Sequence, residues 1–163
     1  MELVPYSDAD YWLTEALETD PLVMAELGGP WRQEDIAAIH KRRLESVAGG
    51  TWWFTIVPEP GMRPVGHLGI FHSEWQGGHI SEAGWSVLPA HQGRGYASAA
   101  LALLLERAAA DGRWGAIHAF PGVTNAPSNA LCSKFGFAVV GEETVDYGDR
   151  HLRCNHWILE EPS

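Results

Sequence analysis

The chain has 163 residues, 45% apolar and 20% charged, which is the composition of a folded domain of common size and not of a disordered segment. A formal charge of −10, from 21 acidic against 11 basic residues, disfavours nucleic acid or an anionic membrane surface as a partner and mildly favours a cationic one. No apolar run reaches the roughly 18 residues of a membrane span, the Met-Glu-Leu-Val-Pro-Tyr start lacks a basic signal flank, and Cys132 and Cys154 give neither a disulfide framework nor a zinc spacing. The expectation is a cytoplasmic protein with free thiols, and the scattered His67, His72 and His79 point to no metal.

Glu2 to Tyr6 reads as a first strand. Ser7 or Asp8 then caps a helix through about Glu18, with Ala9, Trp12, Leu13, Ala16 and Leu17 among its apolar positions. Pro21 suits a first helical position, and Gly28-Gly29-Pro30 stops the short segment Leu22 to Leu27. A further helix, about Gln33 to Ala48, carries Ile36, Ile39, Leu44 and Val47 beside the basic run His40-Lys41-Arg42-Arg43, which reads as a solvated face. Thr51 to Val57 is dense in aromatic and β-branched residues, as a strand should be; Val65 to Phe71 reads as the next strand, Gly77-Gly78 ends the following connection, and His79 to Val87 completes an antiparallel meander.

The stretch from Ser86 to Ala109 organises the rest. Val87 closes a strand, Pro89 leaves the sheet, and Gly93 and Gly95 let the backbone bend. Ala97, Ala100, Leu101, Leu104, Leu105 and Ala108 then mark one apolar helix face, which Asp111-Gly112 ends. This helix starts without a strong side-chain cap, so its free N–H groups and macrodipole suit a phosphate or pyrophosphate. A nucleotide P-loop does not fit, because no Gly-Lys-Ser/Thr follows the glycines. Trp114 to Phe120 is the next strand, Ala126 to Lys134 a short helix, and Ala138 to Val145 with about His151 to Leu159 a hairpin turned near Gly148-Asp149. The order implies a mixed α+β sheet in a single domain, 1–163, without internal repeats.

Two motifs carry chemistry. Gln92-x-x-Gly95-x-Ala97 sits between strand and helix, and Asn125-x-x-Ser128, followed by Lys134-Phe135-Gly136-Phe137, opens the later helix. In this order and spacing they resemble the acyl-CoA-binding landmarks of the GNAT superfamily of N-acetyltransferases. The opening, the Glu82-Ala83-Gly84-Trp85 segment and Ser128 look most like the branch that acetylates α-amino groups of ribosomal proteins. The resemblance implies a GNAT fold: a mixed sheet of about seven strands, splayed in a V between the fourth and fifth, flanked by about four helices. It also implies acetyl-CoA as cosubstrate, lying in the splay like an extra strand. Backbone groups around Val87, Leu88 and Pro89 would meet the pantetheine amides. Gln92, Gly93, Arg94, Gly95, Tyr96, Ala97 and Ser98 would wrap the pyrophosphate, and Asn125 and Ser128 would hold the arm.

The implied reaction is attack of an unprotonated amine on a thioester, which needs a base for the ammonium, donors for the oxyanion and an acid for the thiolate. Many family members have a Tyr seven residues after the Asn as that acid; here the position is Cys132, and Ser128 is the substitute, with Tyr147 able to reach in from the hairpin. Glu82 is the first choice of base, subject to its strand face, Asp146 the second, and His118 a weaker one. Trp31, Trp52, Trp53 and Trp75, with Glu34 and Asp35 nearby, shape the acceptor side or fill the core. The expected activity is direct transfer to a primary amine of a small molecule or peptide N-terminus. The alternatives are a Cys132–His relay, a CoA-binding regulatory module and a ligand-sequestering module. Exposed strand edges near the hairpin allow a homodimer.

Overall fold

A computed structural model describes residues 1–162. Seven strands, β1 (Glu2–Pro5), β2 (Trp52–Val57), β3 (Gly66–Trp75), β4 (Gly78–Val87), β5 (Ile117–Ala119), β6 (Ala138–Tyr147) and β7 (Arg150–Leu159), form one sheet of order β1-β2-β3-β4-β5-β7-β6. Four α-helices, α1 (Tyr11–Glu18), α2 (Ile36–Ala48), α3 (Tyr96–Asp111) and α4 (Ala126–Lys134), flank it. This is the expected mixed α+β sheet. β4 and β5 run parallel and the other neighbouring pairs antiparallel.

Strand alternation divides the sheet into two faces. Phe54 and Ile56 of β2, Leu68 and Ile70 of β3, Ala83 and Val87 of β4 and Ile117 and Ala119 of β5 go to one side. There they meet Ala100, Leu101, Leu104, Leu105 and Ala108 of α3, the stripe that its helical period predicts, and Cys132 of α4. Each of the three α3 leucines contributes about 1.5–3 kcal/mol by burial. On the opposite face lie Trp53, His67, Phe71 and Glu82, which share a cavity wall with Leu17 and Glu18 of α1 and Arg43 of α2.

The splay is visible in the register. β5 pairs with β4 only at Ser81↔Ile117 and Glu82↔His118, whereas β4 continues to Val87. The edge of β4 from Ala83 to Val87 therefore has no strand beside it on the β5 side, as the V-shaped gap requires.

Several boundaries differ from the sequence-based expectation. β3 and β4 run on to Trp75 and from Gly78, closed by a tight turn in which Gln76 and Gly77 take φ of 49° and 77°. Leu22 to Leu27 forms only a 3-10 turn at Met24–Leu27, and β5 is confined to Ile117–Ala119 because its ends depart from both neighbours. Nor is the basic run all solvated: His40 and Arg43 turn inward at helical spacing, while Lys41 and Arg42 stay outside. Among the described residues no helix is long and apolar enough to cross a membrane, and no three His, Cys, Asp or Glu side chains are grouped to hold a metal ion.

Candidate functional site

The splay holds a cleft of about 630 Å³. Val87, Gln92, Gly93, Gly95, Tyr96, Ala97 and Ser98 line one side, and Asn125 and Ser128 line the other. α3 begins at Gly95 (φ 78°) with no side chain capping it, so the first N–H groups of a 16-residue helix point into the cleft mouth without a helical acceptor. Gly93 has φ 73°, and a Cβ at either glycine would meet nothing within 4 Å, so the loop faces open space. Backbone donors on a helix dipole are the donor set that a pyrophosphate needs. Lys134, which the sequence reading left as part of a motif, brings its ammonium to Ser98 Oγ at 2.6 Å and puts a cation at this mouth.

Some expected contacts are otherwise engaged. Gln92 Nε2 donates to the Val87 carbonyl (2.9 Å), and the Leu88 N–H donates to the Val65 carbonyl (2.8 Å). Leu88 and Pro89 lie outside the cleft lining because the chain leaves the sheet there into the 3-10 turn Pro89–His91, and Arg94 is exposed and also outside it. Asn125 caps α4, its Oδ1 accepting from the Ser128 N–H at 3.2 Å. Asn129, which sequence reasoning passed over, ties α4 down: its Nδ2 donates to the carbonyls of Gly122 and Asn125, and its Oδ1 accepts from Asn155 Nδ2 and Trp157 Nε1.

A second cavity of about 340 Å³ opens on the α1–α2 face. It meets the cleft at Trp85, Ser86 and Ser128, which line both. Glu82 lies in its wall, accepting from Ser73 Oγ at 2.8 Å. Burial holds the Glu82 carboxyl above the usual carboxylate range, partly offset by that hydrogen bond. Trp85 Nε1 donates to Ser128 Oγ at 3.2 Å, which leaves the hydroxyl proton of Ser128 free to be given elsewhere. Trp53 stacks on Phe71 at 5.4 Å in the same wall. The Trp53 ring can lie there because residue 69 is glycine: a Cβ would come within 2.8 Å of it. Arg43 passes over Trp53 at 4.9 Å and pairs with Glu18 at 3.0 Å in a bridge that is almost fully buried. Tyr147 also lines this cavity, and burial pushes its hydroxyl pKa up.

The structure does not bring Asp146 to the site. Its side chain is 76% exposed and pairs with His151 at 2.6 Å, while its neighbours Val145 and Tyr147 line the cavity. Alternation along β6 turns Asp146 to the face opposite Val145 and Tyr147. His118 is also outside the cavity lining, bonded through Nδ1 to His156 Nε2 at 2.7 Å, with burial lowering the pKa of both. Cys132 is fully buried among the core residues and burial pushes its thiol up to about 12, which removes it as a nucleophile. Of the four tryptophans expected on the acceptor side, only Trp53 lines this second cavity. Trp31 packs under Arg150, Trp52 against Trp114, and Trp75 against Phe120 and His156. Glu34 pairs with Arg32 at the surface, and Asp35 lines a separate outer groove.

A family model described as Acetyltransferase (GNAT) domain matches residues 1–138. No curated protein matches the sequence significantly. Among solved structures, the chain is similar to spermidine N-acetyltransferase from Vibrio cholerae in complex with CoA and spermine, at 15% identity and TM-score 0.78, over 97% of this chain and 94% of that one. It is similar to yncA from Salmonella typhimurium with acetyl-CoA, at 23% identity and TM-score 0.76, over 98% and 92%. It is also similar to ribosomal-protein-alanine N-acetyltransferase from Brucella melitensis, at 21% identity and TM-score 0.78, over 98% and 99%.

Proposed function

Because the chain belongs to the GNAT family of acetyltransferases, we propose that it moves an acetyl group from acetyl-CoA to a primary amine by direct attack in a ternary complex. The observation that carries this reading is the meeting of two cavities at Trp85, Ser86 and Ser128, one ending at the uncapped start of α3 and the other walled by Glu82. The thioester supplies the activated acyl carbon. The N–H groups at the start of α3, with Lys134 beside Ser98, hold the phosphates, and Asn125 and Ser128 flank the arm.

Glu82 takes the proton that the ammonium must lose. Its raised pKa makes it a better base than an ordinary surface carboxylate, and burial keeps water from competing for it. Ser128 stands at the junction with its oxygen already receiving Trp85 Nε1, so its O–H can donate to the departing thiolate. The Glu82-Ala83-Gly84-Trp85 segment and Ser128, the features that look like the ribosomal α-amino branch, all line this cavity. They support a primary amine as acceptor, on a small molecule or at a peptide N-terminus.

The test is thiol release from acetyl-CoA across a panel of primary amines and short peptides, with CoA binding measured by calorimetry. Release with one acceptor class, reduced about 10²- to 10⁴-fold in Glu82→Gln at unchanged CoA affinity, is the expected result. Tight CoA binding without release from any acceptor would replace the enzyme reading with a binding module.

A further inference from the structure

Two residues in the wall of the second cavity each carry a buried polar atom that nothing in the protein satisfies. Glu18 is 5% exposed, and of its two carboxylate oxygens Oε1 accepts from Arg43 Nη2 at 3.0 Å while Oε2 has no partner. His67 is 4% exposed and its Nδ1 is likewise without a partner. Both residues line the wall that also carries Glu82 and Trp53. Polar atoms buried to this degree without a partner are rare and costly in folded proteins. A wall that carries two of them beside an aromatic face is complementary to a ligand that brings the missing donors.

The sign of that ligand follows from the same wall. Arg43 is the one Lys or Arg side chain among the described residues lining the cavity, and it is already tied down: Nη1 donates to Thr14 Oγ1 at 3.0 Å, Nη2 to Glu18, and the guanidinium lies over the Trp53 and Tyr6 rings. The Glu18 carboxylate already offsets its charge. His67 is kept neutral by burial and by the Arg43 charge, so its Nδ1 can accept. A peptide N–H brings one donor, whereas an ammonium brings three, enough for both orphaned atoms at once.

Resting on the acetyltransferase reading above, we propose that the acceptor is a small diamine: one nitrogen is acetylated beside Glu82, and the second, protonated, is held by Glu18 Oε2 and His67 Nδ1. The recognition is a charge-assisted hydrogen bond in a water-poor wall, the kind that is strong in proteins.

Calorimetry and thiol release with a straight-chain diamine and the monoamine of the same length test this. The expected result is a preference for the diamine of about tenfold or more, in KM and binding and not in kcat. Glu18→Gln should erase it at unchanged CoA affinity, because the amide oxygen keeps the Arg43 bond and the amide nitrogen puts a donor where the ligand needs an acceptor. If that variant does not fold, the wild-type ligand pair decides alone. Equal use of diamine and monoamine overturns the inference and leaves the acetyltransferase reading intact. Glu18-dependent diamine binding without any acetyl transfer overturns that reading and, of this inference, leaves the ammonium site alone standing. Binding of neither amine overturns the inference and leaves the acetyltransferase reading to the wider acceptor panel.

Discussion

On β4, Glu82 shares a face with Gly84 and Ser86, while Ala83 and Val87 go to the α3 side. The same parity that turns this carboxyl into the second cavity also removes it from water, and two consequences can be measured. The folded pKa of Glu82 lies above its unfolded value, so between the two the native state binds the extra proton and stability falls as pH rises. Glu82→Gln removes that loss. Its Tm should match the wild type below the carboxylate range and exceed it near neutral pH, while activity drops. The Ser73 hydroxyl, donating to Glu82 at 2.8 Å, pulls the pKa back down. Ser73→Ala should therefore move the acid limb of the kcat/KM profile to higher pH and leave its plateau in place; an unmoved limb would show that Glu82 is not the base. Sequence parity identified the face of Glu82, whereas Asp146 was chosen by resemblance as the nearest hairpin carboxylate, and alternation with Val145 and Tyr147 turns it outward. Glu18 was equally hidden. A glutamate at the end of an amphipathic helix reads as solvated, and its orphaned oxygen exists only once α2 brings Arg43 against it.

At the scale of elements, the period of three or four residues in α3 and the β-branched runs of β2 to β4 were enough to place them, and the glycine-bearing turn between β4 and α3 fixed where the cleft opens. The long β3–β4 hairpin was underread, although His72 and Glu74 alternate as exposed residues with half-buried Ser73 and Trp75, the signature of a strand with one wet face. What no local pattern contains is the docking of the β6–β7 tip onto the α1–α2 connection. Arg150 Nη1 donates to the carbonyls of Leu27 and Gly29, both at 2.6 Å, and its guanidinium lies 3.9 Å over the Trp31 ring. The Trp31 N–H in turn donates to the Glu18 carbonyl at 2.8 Å, so the hairpin tip braces the end of α1 that forms the acceptor wall. Arg150→Ala should cost about 1–2 kcal/mol in stability, since several charge-assisted contacts go but the site is partly solvated. It should raise KM for the amine about tenfold with KM for acetyl-CoA unchanged, which steady-state kinetics with each substrate varied in turn would read. A parallel rise in both constants would mean that the tip braces the whole sheet and not the acceptor wall alone.

Across the whole molecule the two substrates of the proposed reaction would meet surfaces of opposite character. The cleft presents helix N–H groups and Lys134, a local positive field on a chain whose formal charge is −10, while Glu18 and Glu82 sit in the wall of the second cavity. On that proposal phosphates would be held by short-range donors against the general field, whereas a protonated amine would be drawn by the general field. Ionic strength separates these contributions. Raising salt from about 0.01 M to about 1 M shortens the screening length from roughly 30 Å to roughly 3 Å, which abolishes the long-range part and leaves contacts inside a water-poor wall largely intact. KM for a protonated amine should then rise severalfold while kcat holds, because encounter slows and the proton transfer at Glu82 does not. A doubly charged acceptor should respond about twice as steeply as a singly charged one on a logarithmic scale, since steering scales with the charge that feels the field. Kinetics at a series of salt concentrations with the two amines of equal length would read both slopes. Flat and equal slopes would mean that the acidic surface serves solubility alone, and that recognition of the acceptor begins only at the cavity wall.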